Sequence, residues 1–257
     1  MQGRILAIVE TLLIGVFIFA AANLGDIMAN YHKGDQIYSE SEQYFKYEDD
    51  KQEDGQAIEK YTIDINSLQK INPDIFAWIY IKDTKVSYPV LQCDNNEKYL
   101  KRTYNNLKSD FGSIFLDYRN SRNLDDRYPF IYGHNTKNGS MFGSLKKYKD
   151  IGYYKEHPTI SLVLEDKTYI YEIFSAYTTE VDSPTYSFTY TDDNEYQTFL
   201  NKITDFSVID TKVKPTAMDK VITLSTCTSR TETERFVVHA KLISITPNEA
   251  PVTIDKV

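Results

Sequence analysis

The sequence offers little sulfur. Two cysteines, Cys93 and Cys227, occur in 257 residues, too few for a disulfide scaffold or a cysteine-based zinc site. It also lacks an excess of base. Lys plus Arg is 29 against 37 for Asp plus Glu, a net charge of −8 with neutral His. A chain of that sign is not held to nucleic acid by general electrostatics, and no nucleic-acid partner is expected. Histidine is scarce at four, so a general base of that kind has four candidate positions. There is no internal repeat and no low-complexity tract. What the sequence does contain is aromatic and apolar: 21 Tyr, 13 Phe and 41% hydrophobic residues, which excludes wholesale disorder. The length fits one large or two ordinary domains.

A single apolar run reaches spanning length, Ile5 to Leu24, ILAIVETLLIGVFIFAAANL. Twenty residues of helix extend about 30 Å, the thickness of a hydrocarbon core. Glu10 and Asn23 interrupt it, and Arg4 is the only basic side chain upstream, which favours a cytoplasmic N-terminus. The expectation is an uncleaved anchor over residues 1–25: a single pass through the cell membrane, with everything after it extracellular. A cleaved signal peptide, with Ala20-Ala21-Ala22 as its small-residue site, competes with that reading.

Residues 26–62 read as a polar linker or N-terminal helices, with Ile37, Tyr38, Tyr44 and Phe45 as packing residues. Asn66 is the expected cap of a short helix that stops before Pro73. Eight short β-type runs follow, at 75–81, 86–92, 112–117, 128–134, 159–165, 168–180, 221–227 and 235–245, separated by turn residues. Eight strands in about 170 residues point to a closed barrel or a sandwich. Helical interruptions are expected at 96–104, 140–148 and 193–203. In the last, Tyr196, Phe199, Leu200 and Ile203 form one apolar face.

A cysteine is nucleophilic only as thiolate, so a working thiol needs a base or cation nearby. Cys93 has no basic residue within four positions and reads as a small side chain at a strand end. Cys227 ends the strand VITLSTC, and Arg230 and Arg235 follow within eight residues. Val221, Thr223, Ser225 and Cys227 share one face of that strand, which turns polar toward its end, as a strand opening into a groove does. A small structural thiol is the competing reading.

Among the histidines, His32 reads as solvated, His157 as a loop residue and His239 as solvent-facing by its alternation in RFVVHAKL. His134 closes the run PFIYGH beside Gly133 and opens a loop, where a ring can face a cleft. The alternative is an ordinary loop histidine. Arg235 is fixed by its strand, whereas Arg230 lies in a loop. A strand-borne guanidinium can stabilise a developing oxyanion; a salt bridge to Glu232 or Glu234 is the other reading.

TLSTC at 223–227, Arg235 opening RFVVHAKL and His134 in YGHN resemble the sortases, the membrane-anchored cysteine transpeptidases of Gram-positive bacteria. The similarity runs from about Ile63 to Ile245. The SLQKINPDIFAWI entry, LQCDNNEKYL and the long insert before VITLSTC resemble class B, although the Cys-to-Arg loop TSRTETE is short for that class and keeps Arg230 in play. The resemblance implies a mainly β fold: a closed eight-stranded barrel at 63–247, N-terminal helices, an extra helix before the Cys-bearing strand, and a tail at 248–257. It also implies a two-step reaction. Cys227 attacks the Thr carbonyl of a C-terminal NPxTx-type sorting motif, and an amine of peptidoglycan then resolves the thioacyl enzyme. His134 would serve as acid and base and Arg235 as oxyanion holder, with Leu91, Asn96 and Ser225 lining the peptide groove. The implied partners are surface proteins bearing a sorting signal, a peptidoglycan amine, and the membrane through the N-terminal helix; neither a cofactor nor a metal is implied. In an oxidising compartment a mostly protonated Cys227 is expected. Two rivals stand beside this reading: a secreted cysteine peptidase that uses water, and a non-catalytic anchored β-barrel binding module.

Overall fold

The computed structural model describes residues 2–51, 57–227 and 233–248. Helix α1 runs from Gln2 to Ser39 and passes into a 3-10 turn, Glu40–Tyr44. It does not stop where the apolar run ends. The expected single-pass anchor is corrected here: among the described residues, no helix is long and apolar enough to cross a membrane.

The end of α1 is anchored to the body of the protein. Ile37 and Tyr38 are buried, and the Tyr38 hydroxyl donates to the Gly112 carbonyl at 2.5 Å. After the turn comes a hairpin that the linker reading did not anticipate: β1, Phe45–Lys51, antiparallel to β2, Ala57–Ile63. Phe45 and Tyr47 project from one side of β1. Phe45 stacks on Trp78 at 5.1 Å and Tyr47 meets Tyr80 at 5.0 Å, so two aromatic residues at period two seat an otherwise acidic segment.

Helix α2, Ile65–Ile71, ends before Pro73 as expected, but its cap is Asp64 rather than Asn66. Asp64 Oδ1 accepts from the Ser67 amide at 2.9 Å, which satisfies one orphan donor of the first turn.

All eight expected strands form. They are β3 (Ile75–Tyr80), β4 (Ser87–Leu91), β5 (Ile114–Leu116), β6 (Phe130–Gly133), β7 (Thr159–Val163), β8 (Lys167–Glu180), β9 (Val221–Cys227) and β10 (Glu234–Pro247). They close into a barrel in the order β10-β8-β7-β3-β4-β5-β6-β9. The β4–β5 and β6–β9 pairs are parallel and the others antiparallel.

Two of the expected helices are only 3-10 turns, at Lys98–Leu100 and Gly143–Lys149. A further short helix, α3, spans Ile151–Glu156. The insert before β9 holds α4, Asp193–Asp205. Its N-cap Asp192 accepts from the Glu195 amide at 2.9 Å, and its buried side chains are the four read from the sequence, Tyr196, Phe199, Leu200 and Ile203.

The barrel therefore has covered outer faces as well as a packed interior. The β1–β2 hairpin shields β3. Helix α4 and its neighbours cover Val221, Phe174, Tyr177 and Val237 on β9, β8 and β10, and these residues form a second apolar cluster. His239 lies on that covered face. It is fully buried, which corrects the solvent-facing expectation. Alternation places a residue on the outside of a barrel; it does not say whether a helix lies over that outside.

Candidate active site

Strand pairing brings the expected residues to one edge of the barrel. In the parallel β6–β9 pair Gly133 lies opposite Thr226, so His134 and Cys227 are the next residues along adjacent strands. In the antiparallel β9–β10 pair Cys227 lies directly opposite Arg235. The Cys227 side chain is outside the described residues, and so is Arg230. A cavity of about 440 Å³ opens at this edge, lined by His134, Ser225, Thr226 and Arg235 together with Asn96, Arg119, Tyr186 and Phe188.

His134 is held from several sides. Its Nε2 lies 2.6 Å from the Leu100 carbonyl. A carbonyl only accepts, so Nε2 carries the proton and the neutral ring leaves Nδ1 bare to exchange one. Its own carbonyl accepts from the Phe142 amide at 3.0 Å. Gly112, at φ +59°, lies against the ring: a Cβ there would stand 2.6 Å from His134 Cδ2. Gly133 is likewise constrained by packing, because a Cβ would stand 2.7 Å from the Phe142 ring. It belongs to strand β6 and is not a flexible pivot for the histidine.

Arg235 is half-buried and its Nη1 donates to the Glu234 carbonyl at 3.0 Å. The opposite wall is organised by Asp117, which is completely buried. Arg119 grips it through two parallel bonds, Nε to Oδ1 at 2.8 Å and Nη2 to Oδ2 at 2.7 Å, while Asn96 Nδ2 and the Tyr132 hydroxyl donate to Oδ2 at 2.8 and 3.0 Å. Burial pushes the Asp117 carboxyl up, but the Arg119 guanidinium and the converging donors outweigh it and hold the group below its ordinary value. The Arg119 guanidinium lies 3.6 Å above the Phe188 ring, a cation–π contact that fixes its plane.

Of the groove residues expected from the resemblance, Asn96 and Ser225 line the cavity and Leu91 does not. Asn96 also accepts from the Tyr118 amide at 3.0 Å, so its amide braces the wall at both ends. Ser225 Oγ lies 2.8 Å from the Tyr186 hydroxyl. Leu91 is fully buried in the main core at the end of β4, paired with Phe115. Its apolar character serves the barrel, which corrects its placement in the groove.

The other histidines are elsewhere. His32 is exposed on α1, and His157 Nδ1 donates to the Lys82 carbonyl at 2.9 Å. His239 Nδ1 lies 2.9 Å from Thr223 Oγ1 and 3.2 Å from the Tyr128 hydroxyl. Burial pushes its pKa down to about 3, so the ring is neutral. Cys93 is half-buried beyond β4, with Sγ 3.2 Å from the Asn95 carbonyl. Sequence reasoning missed Asp117, Arg119, Tyr132, Tyr186 and Phe188. Their one local signal was Asp-x-Arg directly after the strand IFL, a carboxylate and a guanidinium close enough to pair across a turn.

Chemically, the edge offers an imidazole with one free nitrogen, two guanidiniums and a strand ending in a cysteine. Comparison with known proteins agrees in kind. The family described as "Sortase domain" matches residues 79–243. Sortase B of Listeria monocytogenes is 35% identical over 234 residues, covering 90% of this chain and 94% of that protein. Among solved structures, sortase B of Bacillus anthracis in complex with AAEK1 superposes with a TM-score of 0.72 at 34% identity, over 84% of this chain and 99% of that one. A Staphylococcus aureus sortase B–substrate complex gives 0.66 at 36% identity, over 70% of this chain and 84% of that one.

Proposed function

The chain belongs to the sortase family, class B, a family of cysteine transpeptidases, and from that premise we propose the chemistry of its barrel edge. Residues 63–247 form the catalytic unit. Cys227 attacks the carbonyl of Thr in a C-terminal NPxTx-type sorting motif, and the amine downstream of the cut leaves. The resulting thioester is resolved by an amine of peptidoglycan, which joins the sorted surface protein to it.

In this reading His134 is both acid and base. Nε2 is committed to Leu100, so bare Nδ1 takes the proton of the Cys227 thiol as sulfur attacks, the Nδ1–H so formed protonates the departing amine, and Nδ1, bare again, later takes a proton from the incoming one. Positioned acid–base help of this kind is worth roughly 10²–10⁴ in rate. Arg235 faces the cysteine across the β9–β10 ladder and holds the oxygen that becomes negative when sulfur adds to the carbonyl. Losing such a donor typically costs about 2.7–4 kcal/mol. Asn96 and Ser225 border the peptide, with Asn96 acting through the Asp117–Arg119 wall.

The observation that carries this proposal is the register: Cys227 opposite Arg235, and Gly133 opposite Thr226, at the mouth of one cavity. The experiment is incubation of the protein with fluorogenic pentapeptides and an amine, comparing wild type with Cys227→Ala, His134→Ala, Arg235→Ala and Arg230→Ala. Amine-dependent product is expected from wild type and Arg230→Ala and lost in the other three. Cleavage indifferent to added amine would point to a peptidase. If Arg230→Ala fails while Arg235→Ala survives, the cation is misassigned.

A further inference from the structure

His134 lines a second cavity. It encloses about 410 Å³ and is bounded by Tyr31 and Lys33 of α1, by Lys108, Asp110 and Phe111 ahead of β5, and by Asn135 and Thr136. Its shape depends on helix α1 lying close to the barrel: Gly34 approaches Phe111 so nearly that a Cβ would stand 2.5 Å from the ring, and Tyr31 meets the same ring edge-on at 5.8 Å. Its charge runs against that of the chain. Two ammonium groups and one carboxylate line it, in a protein with net charge −8.

A two-step acyl transfer needs two substrates to meet one base in turn. Only Nδ1 of His134 is free to exchange protons, and His134 lines both cavities. An acceptor confined to the first cavity would compete with the peptide there. One seated in the second could be bound before the leaving fragment departs.

We propose that the second cavity receives the acceptor amine, with Lys33 and Lys108 holding an anionic group, carboxylate or phosphate, at the acceptor's far end. The inference rests on the acyl-transfer reading above. The neutral amine nitrogen attacks the thioester carbonyl carbon. The new C–N bond forms as the C–S bond breaks, sulfur leaves with the bonding pair as the Cys227 thiolate, and the proton shed by nitrogen passes to His134 Nδ1. No oxidant or further reactant is required.

The test measures the acceptor KM with a sorting peptide held saturating, for triglycine, for triglycinamide (which lacks the terminal carboxylate) and for O-phosphoethanolamine against ethanolamine. The anionic member of each pair is expected to have the lower KM, by roughly fivefold for two partly exposed ion pairs. In the Lys33→Glu/Lys108→Glu variant the preference should reverse, whereas Lys155→Glu on α3, an exposed lysine outside the cavity, should keep it. Equal KM values within both pairs in wild type, or a preference that survives the double reversal, would overturn the proposal. Binding is read independently by titrating triglycine into the isotopically labelled protein. Shifts in the amides of Lys33, Lys108 and His134 are expected, and shifts confined to the Arg119 and Arg235 cavity would refute it. If the acyl-transfer reading itself is wrong, no sorting peptide is cut with or without amine, and the titration still decides what the second cavity binds.

Discussion

Gly112→Ala tests whether the imidazole of His134 works because it is held where it is. A Cβ at residue 112 would stand 2.6 Å from His134 Cδ2 and 2.7 Å from the Tyr99 carbonyl. Carbon–carbon contacts sit at about 3.5–4.0 Å, so the ring must retreat by about 1 Å and give up its bond to Leu100. A misplacement of that size costs about 10²-fold in rate. The substitution also places an L side chain at φ +59°, a penalty of about 1–2 kcal/mol.

Gly139→Ala separates the two effects. It shares a positive φ, +80°, but its Cβ would meet nothing nearer than Lys85 Cδ at 4.0 Å. Steady-state transfer of a sorting peptide to an amine, with thermal melts alongside, gives the readout. Both variants should melt lower, by about 2–8 °C for penalties of this size. Only Gly112→Ala should lose kcat, by about 10²-fold with KM little changed. A Gly112→Ala enzyme within threefold of wild type, or a Gly139→Ala enzyme equally crippled, would refute the reasoning.

Other outcomes follow from the same geometry. His239 is neutral in the fold because burial lowers its pKa to about 3, so acid protonates the unfolded chain first. Stability falls as pH drops from about 6.5 toward 3, by about 1.4 kcal/mol per pH unit from this group. Urea midpoints at pH 7 and pH 5 should show wild type losing about 2 kcal/mol more than His239→Asn, and parallel losses would contradict the assignment. Asp117→Asn leaves Arg119 without its carboxylate at a half-exposed wall. The peptide KM should rise and stability fall by about 1–3 kcal/mol, measured by kinetics and melts; an unchanged KM would mean that the wall does not shape the groove.

The barrel was legible because its strands are apolar runs cut by turns, and TLSTC, YGHN and RFVVHAKL lie on strands that pair with one another, β9 with β6 and with β10. Helix α4 was legible from one apolar stripe. What escaped reading depended on contacts distant in sequence. The β1–β2 hairpin is strongly charged and is seated by Phe45 and Tyr47 on Trp78 and Tyr80, a surface that exists only once the barrel closes. His239 alternates as an exposed residue does, yet α4 packs over that face. Leu91, which opens LQCDNNEKYL, was placed in the groove by the family resemblance, but at the end of β4 it is buried in the core. The apolar N-terminal run suggested a span, whereas the helix that carries it continues to Ser39, and among the described residues no helix is long and apolar enough to cross a membrane. Arg119 and Asp117 are two residues apart in sequence, but their use depends on Asn96 and Phe188, which other segments deliver to them.

The central claim is that Cys227 carries the peptide between the two halves of the reaction, and intact-protein mass spectrometry measures that directly. Mixed with a sorting peptide and quenched in acid before any amine is added, the wild-type chain should gain the mass of the peptide up to and including its Thr. Fragmentation should place that mass on Cys227, and added amine should remove it. A chain that cuts the peptide yet never gains this mass, or gains it on another residue, would contradict the account.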